Sequence, residues 1–470
     1  MRSPSRGAAA GASRGVRDRG NPGIRRPAGV SCRPVKRGLL FAALLFSLGA
    51  LAFVGHAASD VMRGGRLVVT PGAPPPAVDH DMFTEAVQQM GGLVLEPGNR
   101  IEVLLDGGGT FSRLWADLRA AQRSIAFQVY YCRPGAVADT LAAILEERAR
   151  AGVAVHFLAD GFGCDSFVEL HGDRLRAAGA RVAVFRPVGW LTLHKAQHRS
   201  HARVVVVDGR IGYTGGFGIA DVWHGGKEGE PEWRETNVRV TGPAARQLAG
   251  AFAAAWAEAV GELVFLGGDH GDGGAMERDD GAEAGFEARS AGVLYGRPAL
   301  GSTAAERILV TSIAGARRTL FVTNSYFVPG PELRRALEDA VRRGVDVRVL
   351  TAGRRSDLPS VRYAGRAMYE DLLDAGVRIY EYEPRMVHAK TFVVDGVWTA
   401  IGTLNFDNRS LRLNEEVAIL AHDPALGAAM DSIFMADLRD AHEIRLEEFR
   451  RRPWLERFRE RVVRLVWPLL

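Results

Sequence analysis

"HAKTFVVDG", residues 388–396, decides how this chain folds. An imidazole stands two places before an ammonium, and an apolar run then meets Asp-Gly. Strand periodicity places His388 and Lys390 on one face, while Thr391 to Val394 read as a buried β-run. Asp395-Gly396 signals a two-residue hairpin, which sets Thr403 opposite His388 and carries Asn405 onto the same face. An imidazole, a cation, a hydroxyl and an amide around one spot suit an anionic, oxygen-rich group.

The chain almost repeats this stretch as "HARVVVVDG", residues 201–209, with Arg203 in the lysine place. Turning at Asp208-Gly209 puts Gly216 opposite His201 and Gly218 where the second copy has Asn405, so this half is expected to gain space and lose an amide. Upstream of each copy the same elements recur. "RSIAFQVYYCRP" (123–134) matches "RTLFVTNSYFVP" (318–329), and "ARAGVAVHFLADG" (149–161) matches "VRRGVDVRVLTAG" (341–353). This internal duplication of a β-α-β pattern predicts an α/β fold of two similar lobes, each a mainly parallel sheet flanked by helices.

These residues resemble the phospholipase D superfamily, whose signature HxKxxxxD usually occurs twice in a chain. His388, Lys390 and Asp395 match it fully; His201, Arg203 and Asp208 match with arginine for lysine. "GTLNFDNRSLRLNEEV" (402–417), "WRETNVRVTGP" (233–243) and "NSYFVP" (324–329) look like the bacterial cardiolipin synthase branch. The resemblance covers roughly residues 100–262 and 290–470. It implies two lobes facing across a pseudo-twofold cleft with both histidines at its centre, and a reaction needing neither metal nor cofactor.

A phosphodiester is an anion, so a histidine attacking phosphorus needs cations against the charge that accumulates on the equatorial oxygens. Lys390 and Arg203 are the candidates. Arginine keeps the charge but is longer, planar and never a proton donor, so a working site of altered geometry is expected. By the resemblance, His201 attacks and forms a phosphohistidine, and His388 serves as acid and base, an assignment that symmetry leaves open. An acidic residue on the far ring nitrogen would fix each tautomer. Glu235 and Glu416 are the candidates, with Glu415 as an alternate that strand parity turns the other way. Asp208 and Asp395, although part of the motif, sit at turns where they brace the hairpins or the opposite lobe. Three histidines in "HKAQHRSH" (194–201) could coordinate zinc, but no acidic or thiol ligand lies nearby. Solvated basic residues beside the cleft are the simpler reading, and phosphate gripping by His198 and Arg199 at its mouth is a further one.

The chain has 470 residues, 47% of them hydrophobic, enough for two lobes plus appendages. Residues 1–37 carry ten Lys/Arg and one Asp among Gly, Pro, Ala and Ser and read as a disordered basic tail. Residues 38–58 contain an uncharged apolar run, either a transmembrane anchor or a cleaved secretory signal. With Lys36-Arg37 ahead of it, an anchor would leave the catalytic lobes on the extracytoplasmic face of a bacterial inner membrane. Residues 59–84 read as a linker, stiff at "PGAPPP", 85–262 as the first lobe, 263–289 as a flexible bridge and 290–447 as the second lobe. Residues 448–470 read as a basic amphipathic helix, fit either for anionic headgroups or for docking on the second lobe. Cys32, Cys132 and Cys164 make no disulfide framework. Cys132 and Cys164, after neighbouring strands, read as ordinary thiols that could pair outside the cytoplasm.

Most of the net charge of +5 lies in the tail, so the lobes offer no basic stripe for nucleic acid. The favoured function is a phosphatidyltransferase that moves a phosphatidyl group from one phosphatidylglycerol to another and releases glycerol. A phospholipase D releasing phosphatidic acid uses the same residues in a wetter cleft. A nuclease or a non-catalytic membrane scaffold fits the charge distribution and the two histidines less well. Phospholipid substrates and a membrane are the expected partners, and the sequence leaves the oligomeric state open.

Overall fold

In the computed structural model, which describes residues 46–49, 71–187, 197–226, 231–266, 285–299 and 301–466, each Asp-Gly closes a hairpin at the centre of its own sheet. The first sheet runs β4 (Arg181–Phe185), β3 (Ala154–Asp160), β2 (Ser124–Val129), β5 (Val204–Val207), β6 (Ile211–Gly215), β7 (Thr236–Thr241), β1 (Asn99–Leu105), β8 (Phe286–Ala288). The second runs β16 (Ala441–Ile444), β12 (Arg378–Tyr382), β11 (Asp346–Ala352), β10 (Thr319–Asn324), β13 (Lys390–Val394), β14 (Trp398–Gly402), β15 (Glu416–His422), β9 (Ser290–Gly296). The duplicated α/β architecture is present, but the sheets are mixed rather than mainly parallel. Only β2, β3 and β4, and likewise β10, β11 and β12, run parallel. The hairpin strands join each sheet antiparallel, because a tight turn reverses the chain and only the helical crossovers preserve its direction.

The hairpin register also differs from expectation by one residue. Asp395 and Gly396 take left-handed conformations, φ 53° and 66°, and Val397 N–H donates to Val394 O, but Val394 then pairs with Trp398. One extra residue, Val397, sits in the turn. Thr391 therefore pairs with Ile401, and the first hairpin repeats the slip with Arg210. Since strand side chains alternate, a one-residue slip reassigns faces, and the position expected for Thr403 opposite His388 is not the observed one.

Both turn aspartates brace their own lobe. Asp208 accepts from the backbone N–H groups of Gln122, Arg123 and Ser124, and Asp395 from those of Arg317, Arg318 and Thr319. Each carboxylate thus ties its turn to the start of the neighbouring β2 or β10, at the strand end away from the motif histidine. A left-handed conformation is tolerable for Asp when its side chain is so engaged.

The lobes share a core. Val204, Val206 and Val238 of the first sheet pack with Val393, Ile401 and Ile419 of the second, while a separate core fills the outer side of each sheet. Charged contacts add to this junction. The Arg234 guanidinium spans Asp437 at 2.9 and 3.0 Å, and Arg385 reaches Asp106 at 2.6 Å.

Segment boundaries move in informative ways. Val78 is buried, Pro75 O accepts from Arg317, and the helix Asp81–Gly91 lies on the helix Ala304–Gly315 of the second lobe. Phe83 stacks edge-on to Trp398 at 5.4 Å. The end of the expected linker and the start of the expected first lobe are thus part of the second lobe's core. At the other boundary, residues 286–288 of the expected bridge form β8 on the first sheet. Residues 267–284 of that bridge lie outside the described residues, as does the basic tail. Of the apolar segment 38–58 only 46–49, helical, is described. Among the described residues no helix is long and apolar enough to cross a membrane.

Cys132 and Cys164 are joined in a disulfide, against the reading of two ordinary thiols. Strands β2 and β3 are parallel neighbours, and the two cysteines follow their C-terminal ends, where Cys132 N–H donates to Gly163 O at 3.0 Å. The bond closes a loop with a sequence separation of 32. Chain-entropy reasoning gives such a loop roughly 3–4 kcal/mol of stabilisation. Reduction is expected to lower Tm by several degrees, with two fewer thiols alkylated before reduction than after; an unchanged thiol count would show the bond absent.

Candidate active site

The two motif histidines come together because each is sewn to the opposite lobe just before its side chain. Arg234 N–H donates to Met386 O and His388 N–H to Arg234 O, both at 2.7 Å, so that Arg234 and Val387 form a parallel bridge. Ser200 and Glu415 form the matching bridge, with Glu415 N–H donating to Arg199 O at 2.9 Å. In each bridge the next residues along the two chains are a histidine and a glutamate. Glu235 therefore lands on His388 Nδ1 at 2.8 Å and Glu416 on His201 Nδ1 at 2.9 Å. Each lobe supplies the carboxylate for the other lobe's imidazole. Glu415 faces away, towards Arg297 and the Tyr295 hydroxyl, as strand parity requires.

The two carboxylates are held differently. Glu416 receives the hydroxyls of Thr403 and Ser410, whereas Glu235 receives the Trp223 indole N–H at 3.2 Å and the Thr236 backbone N–H at 3.1 Å. Thr403 is thus committed to a glutamate and is not a ligand-facing hydroxyl. Gly216, its counterpart, has no room for a side chain, since a Cβ there would lie 2.4 Å from Glu235 Oε2.

Burial, followed by the Arg203 and Lys390 charges, holds His201 well below the usual imidazole range. Burial and Lys390 bring His388 down to about 4 against the pull of Glu235. Burial raises Glu416 to about 7 despite the two hydroxyls. Burial also acts to raise Glu235, but the His388 hydrogen bond and charge leave it below the usual carboxylate range. An ionised carboxylate only accepts, so Nδ1–H points at Glu235 and the Nε2 lone pair of His388 is left for a ligand.

Both motif cations act on both rings. Arg203 donates to His201 O at 2.8 Å and Phe217 O at 3.0 Å; Lys390 donates to His388 O and to Ser325 Oγ at 2.8 Å. Each group thus caps the carbonyl of its own motif histidine and keeps further N–H donors for an anion. Lys390 also depresses His201 and Arg203 depresses His388, so the two charges act on one shared site. Burial lowers Lys390 to about 7, partly opposed by Glu235. Asn405 is buried and within 3.4 Å of Ser325 Oγ, which links it to the Lys390 side of the site.

Aromatic rings form the walls, and these the sequence reading missed. Tyr130 stands edge-on to His201 at 5.0 Å, and Trp223, Trp233 and Tyr326 surround His388 at 5.4, 5.3 and 6.0 Å. Tyr130 and Tyr326 lie within the quoted repeats, just past the C-terminal ends of β2 and β10, where α/β sheets place their ligands. That rule would have found them. Trp233 opens the quoted "WRETNVRVTGP", but nothing local marks Trp223; both reach His388 across the lobe junction.

Trp223 also overturns the expectation that Gly218 opens space. A Cβ on Gly218 would lie 2.7 Å from the Trp223 ring, so the indole occupies the room that an asparagine would take. Gly218→Asn is expected to cost about 1–3 kcal/mol through overpacking, read as a lower Tm. In a double-mutant cycle the cost of Gly218→Asn should be smaller in a Trp223→Ala background than in the parent; an equal cost in both backgrounds would show no clash.

The described residues of "HKAQHRSH", 197–201, are half-buried or buried rather than solvated. His198 Nδ1 meets Leu413 O at 3.0 Å across the lobes, and Arg199 is buried, donating to Arg186 O and lying 3.6 Å from Asp160. His194 lies outside the described residues. Among the described residues no group of His, Cys, Asp and Glu is arranged to hold a metal ion.

Residues 309–438 match the family model described as "Cardiolipin synthase, PLD-like domain". The chain is 33% identical to cardiolipin synthase A of Pseudomonas fluorescens over 387 residues, covering 82% of this chain and 78% of that protein. It is 35% identical to the cardiolipin synthase of Geobacillus kaustophilus over 378 residues, 78% of this chain and 72% of that one. This chain belongs to the cardiolipin synthase family. Its fold matches the crystal structure of phosphatidylserine synthase from Haemophilus influenzae, with a TM-score of 0.63 at 15% identity over 83% of this chain and all of that one. As a cardiolipin synthase family member it departs from the doubled motif at Arg203, and the hydrogen bonds explain how the exchange is accommodated: the guanidinium makes the same carbonyl cap as Lys390 and uses its extra length to reach Phe217 O.

Arg203→Lys is therefore expected to fold normally and keep activity within about tenfold at pH 6. It should lose activity more steeply than the parent above pH 7, because a buried lysine like Lys390 sheds its proton as pH rises through about 7 whereas arginine does not. A uniform loss from pH 5.5 to 8.5 would contradict this.

Proposed function

We propose that this chain is a phosphatidyltransferase of the cardiolipin synthase type, acting on two molecules of phosphatidylglycerol. The observation that carries the proposal is the pair of cross-lobe His–Glu couples with two cations that act on both histidines. His201 Nε2 attacks phosphorus; the bond to the headgroup glycerol oxygen breaks, and His388 gives that oxygen its proton. Arg203 and Lys390 offset the charge on the equatorial oxygens. In the second half His388 takes the proton of a glycerol hydroxyl on another phosphatidylglycerol. That oxygen attacks the phosphohistidine, and His201 is released. His388 is neutral in the free protein, and an anionic phosphodiester beside it restores the protonated form.

Transfer is favoured over hydrolysis because the intermediate must be kept from water. His201 and His388 are only 7% and 4% exposed, and four aromatic rings stand around them. One phosphodiester replaces another, so no external energy source is needed. The reading includes a bacterial membrane as the working surface, with the lobes on its extracytoplasmic face. The Cys132–Cys164 disulfide supports that side, since such bonds persist in oxidising compartments.

The test is purified protein with phosphatidylglycerol in mixed micelles, products resolved by mass spectrometry. Cardiolipin and glycerol in equal amounts are expected. Phosphatidic acid alone would make the protein a hydrolase, and no lipid product would reject the proposal.

A further inference from the structure

The C-terminal helix does something that neither of its two sequence readings describes alone. The chain breaks at Arg452-Pro453 between a short helix, Leu446–Arg450, and a longer one, Trp454–Val466. The longer helix docks on the second-lobe helix Pro359–Asp374, but through its acidic side. Glu460, 1% exposed, accepts from Arg452 at 2.7 Å and Arg366 at 3.2 Å, and Glu456 lies 3.7 Å from Arg366. Val463 completes the contact, packed against Val328, Val361 and Ala364.

At roughly 100° per residue, Trp454, Leu455, Phe458 and Val462 then fall on the side away from the lobe. They are exposed by 75, 44, 56 and 47%. Arg457, Arg459 and Arg461 are exposed beside them. Glu460 is buried and Glu456 leans on Arg366 with its side chain half-exposed, so the outward surface is mainly apolar and cationic. That combination complements an anionic lipid surface, in which the apolar stripe sits at the acyl boundary and the guanidiniums meet phosphates. The helix also leads towards the site, since Val463 packs on the same Val328, Val361 and Ala364 cluster as Tyr326, whose ring stands beside His388 and lies 5.6 Å from Lys390 Nζ.

We infer that the Trp454–Val462 face is a docking surface for an anionic bilayer, held on the second lobe by the Glu460–Arg366–Arg452 cluster so that the cleft meets lipid at the membrane surface. The inference rests on the reading of a lipid substrate for its purpose, but its physical test does not depend on turnover. The full chain carrying Cys32→Ser and Phe458→Cys is labelled with a polarity-sensitive fluorophore and mixed with phosphatidylglycerol vesicles containing acyl-chain nitroxide quenchers. A label at Glu147→Cys serves as control, on the last turn of a helix, Ala136–Arg150, that runs back from the strand C-termini.

A blue shift and quenching at 458, absent at 147 and absent with neutral phosphatidylcholine vesicles, are expected. The Trp454→Ser/Phe458→Ser double variant should lose about tenfold in activity on vesicles and keep its rate on short-chain, monomeric phosphatidylglycerol. Equal response at 458 and 147, or unchanged vesicle activity in the double variant, overturns the inference. A blue shift that grows with protein concentration without lipid would assign the face to a second copy of the chain and overturn it too. Quenching at 458 without conversion of either substrate form would leave the docking surface standing and reject the proposed function.

Discussion

A His388→Ala protein exposed briefly to phosphatidylglycerol carries a covalent phosphatidyl group on His201 and forms cardiolipin at least about 10³-fold more slowly than the parent. His201→Ala carries no adduct and is slower still. The asymmetry follows from the proposed roles. Without His388, Arg203, Lys390 and the carboxylate on His201 remain, so attack on phosphorus proceeds at a reduced rate, with the leaving glycerol oxygen taking its proton from water. The second half then stalls, because nothing takes the proton from the incoming hydroxyl. Intact-protein mass spectrometry followed by fragmentation locates the adduct. Its appearance on His388 in the His201→Ala protein would exchange the two roles, and its absence from both would remove the covalent intermediate.

The second large effect comes from the carboxylates, and its pattern is counter-intuitive by sequence position. Glu235 lies in the first lobe yet holds His388 of the second; Glu416 lies in the second and holds His201 of the first. Glu235→Gln should therefore behave like a weakened His388 variant, with the adduct accumulating, and Glu416→Gln like a weakened His201 variant, with little adduct. Each amide keeps the shape but removes the charge that steadies an imidazolium. A loss of about 10²–10⁴-fold in kcat with KM changed less than threefold is expected. The reverse pairing of phenotypes would show that the cross-lobe hydrogen bonds do not govern the chemistry.

The pH behaviour separates the two couples further. Burial raises Glu416 to about 7, so the Glu416–His201 couple gains a proton as pH falls through that value, and attack by His201 should weaken on the acid side. Lys390, lowered to about 7, loses its charge as pH rises, which sets the alkaline side. The result is a narrow bell for kcat/KM near neutrality. Glu416→Gln should remove the acid limb and leave the alkaline one.

Much of this site was legible because the chain states it twice. Repetition of His-x-cation before an Asp-Gly turn marks two equivalent strands, and equivalent strands in duplicated lobes must face one another for either copy to be useful. The place of each turn was legible as well, since Asp-Gly suits a left-handed bend, but the expected two-residue loop is a three-residue one. The register was not, because the extra residues Arg210 and Val397 are unremarkable in composition and their placement depends on how β6 and β14 meet their outer neighbours. Strand direction was misjudged for a similar reason, since the β-α-β units are parallel but the hairpins that carry the chemistry are not.

The sequence by itself determined the duplication, the two histidines, their cations and the two glutamates, because local periodicity and strand parity fix which side chains share a face. Tertiary structure decided which glutamate serves which histidine, since the pairing runs through the Arg234–Val387 and Ser200–Glu415 bridges between segments far apart in the chain. It decided that Trp223 fills the room left by Gly218 and that Thr403 serves a carboxylate. It decided that the chain entering the first lobe packs on the second, and that the terminal helix turns Glu460 inward and its aromatics out. Those outcomes depend on which buried partner each group finds, and a buried charge or ring is settled by its surroundings in space rather than by its neighbours along the chain.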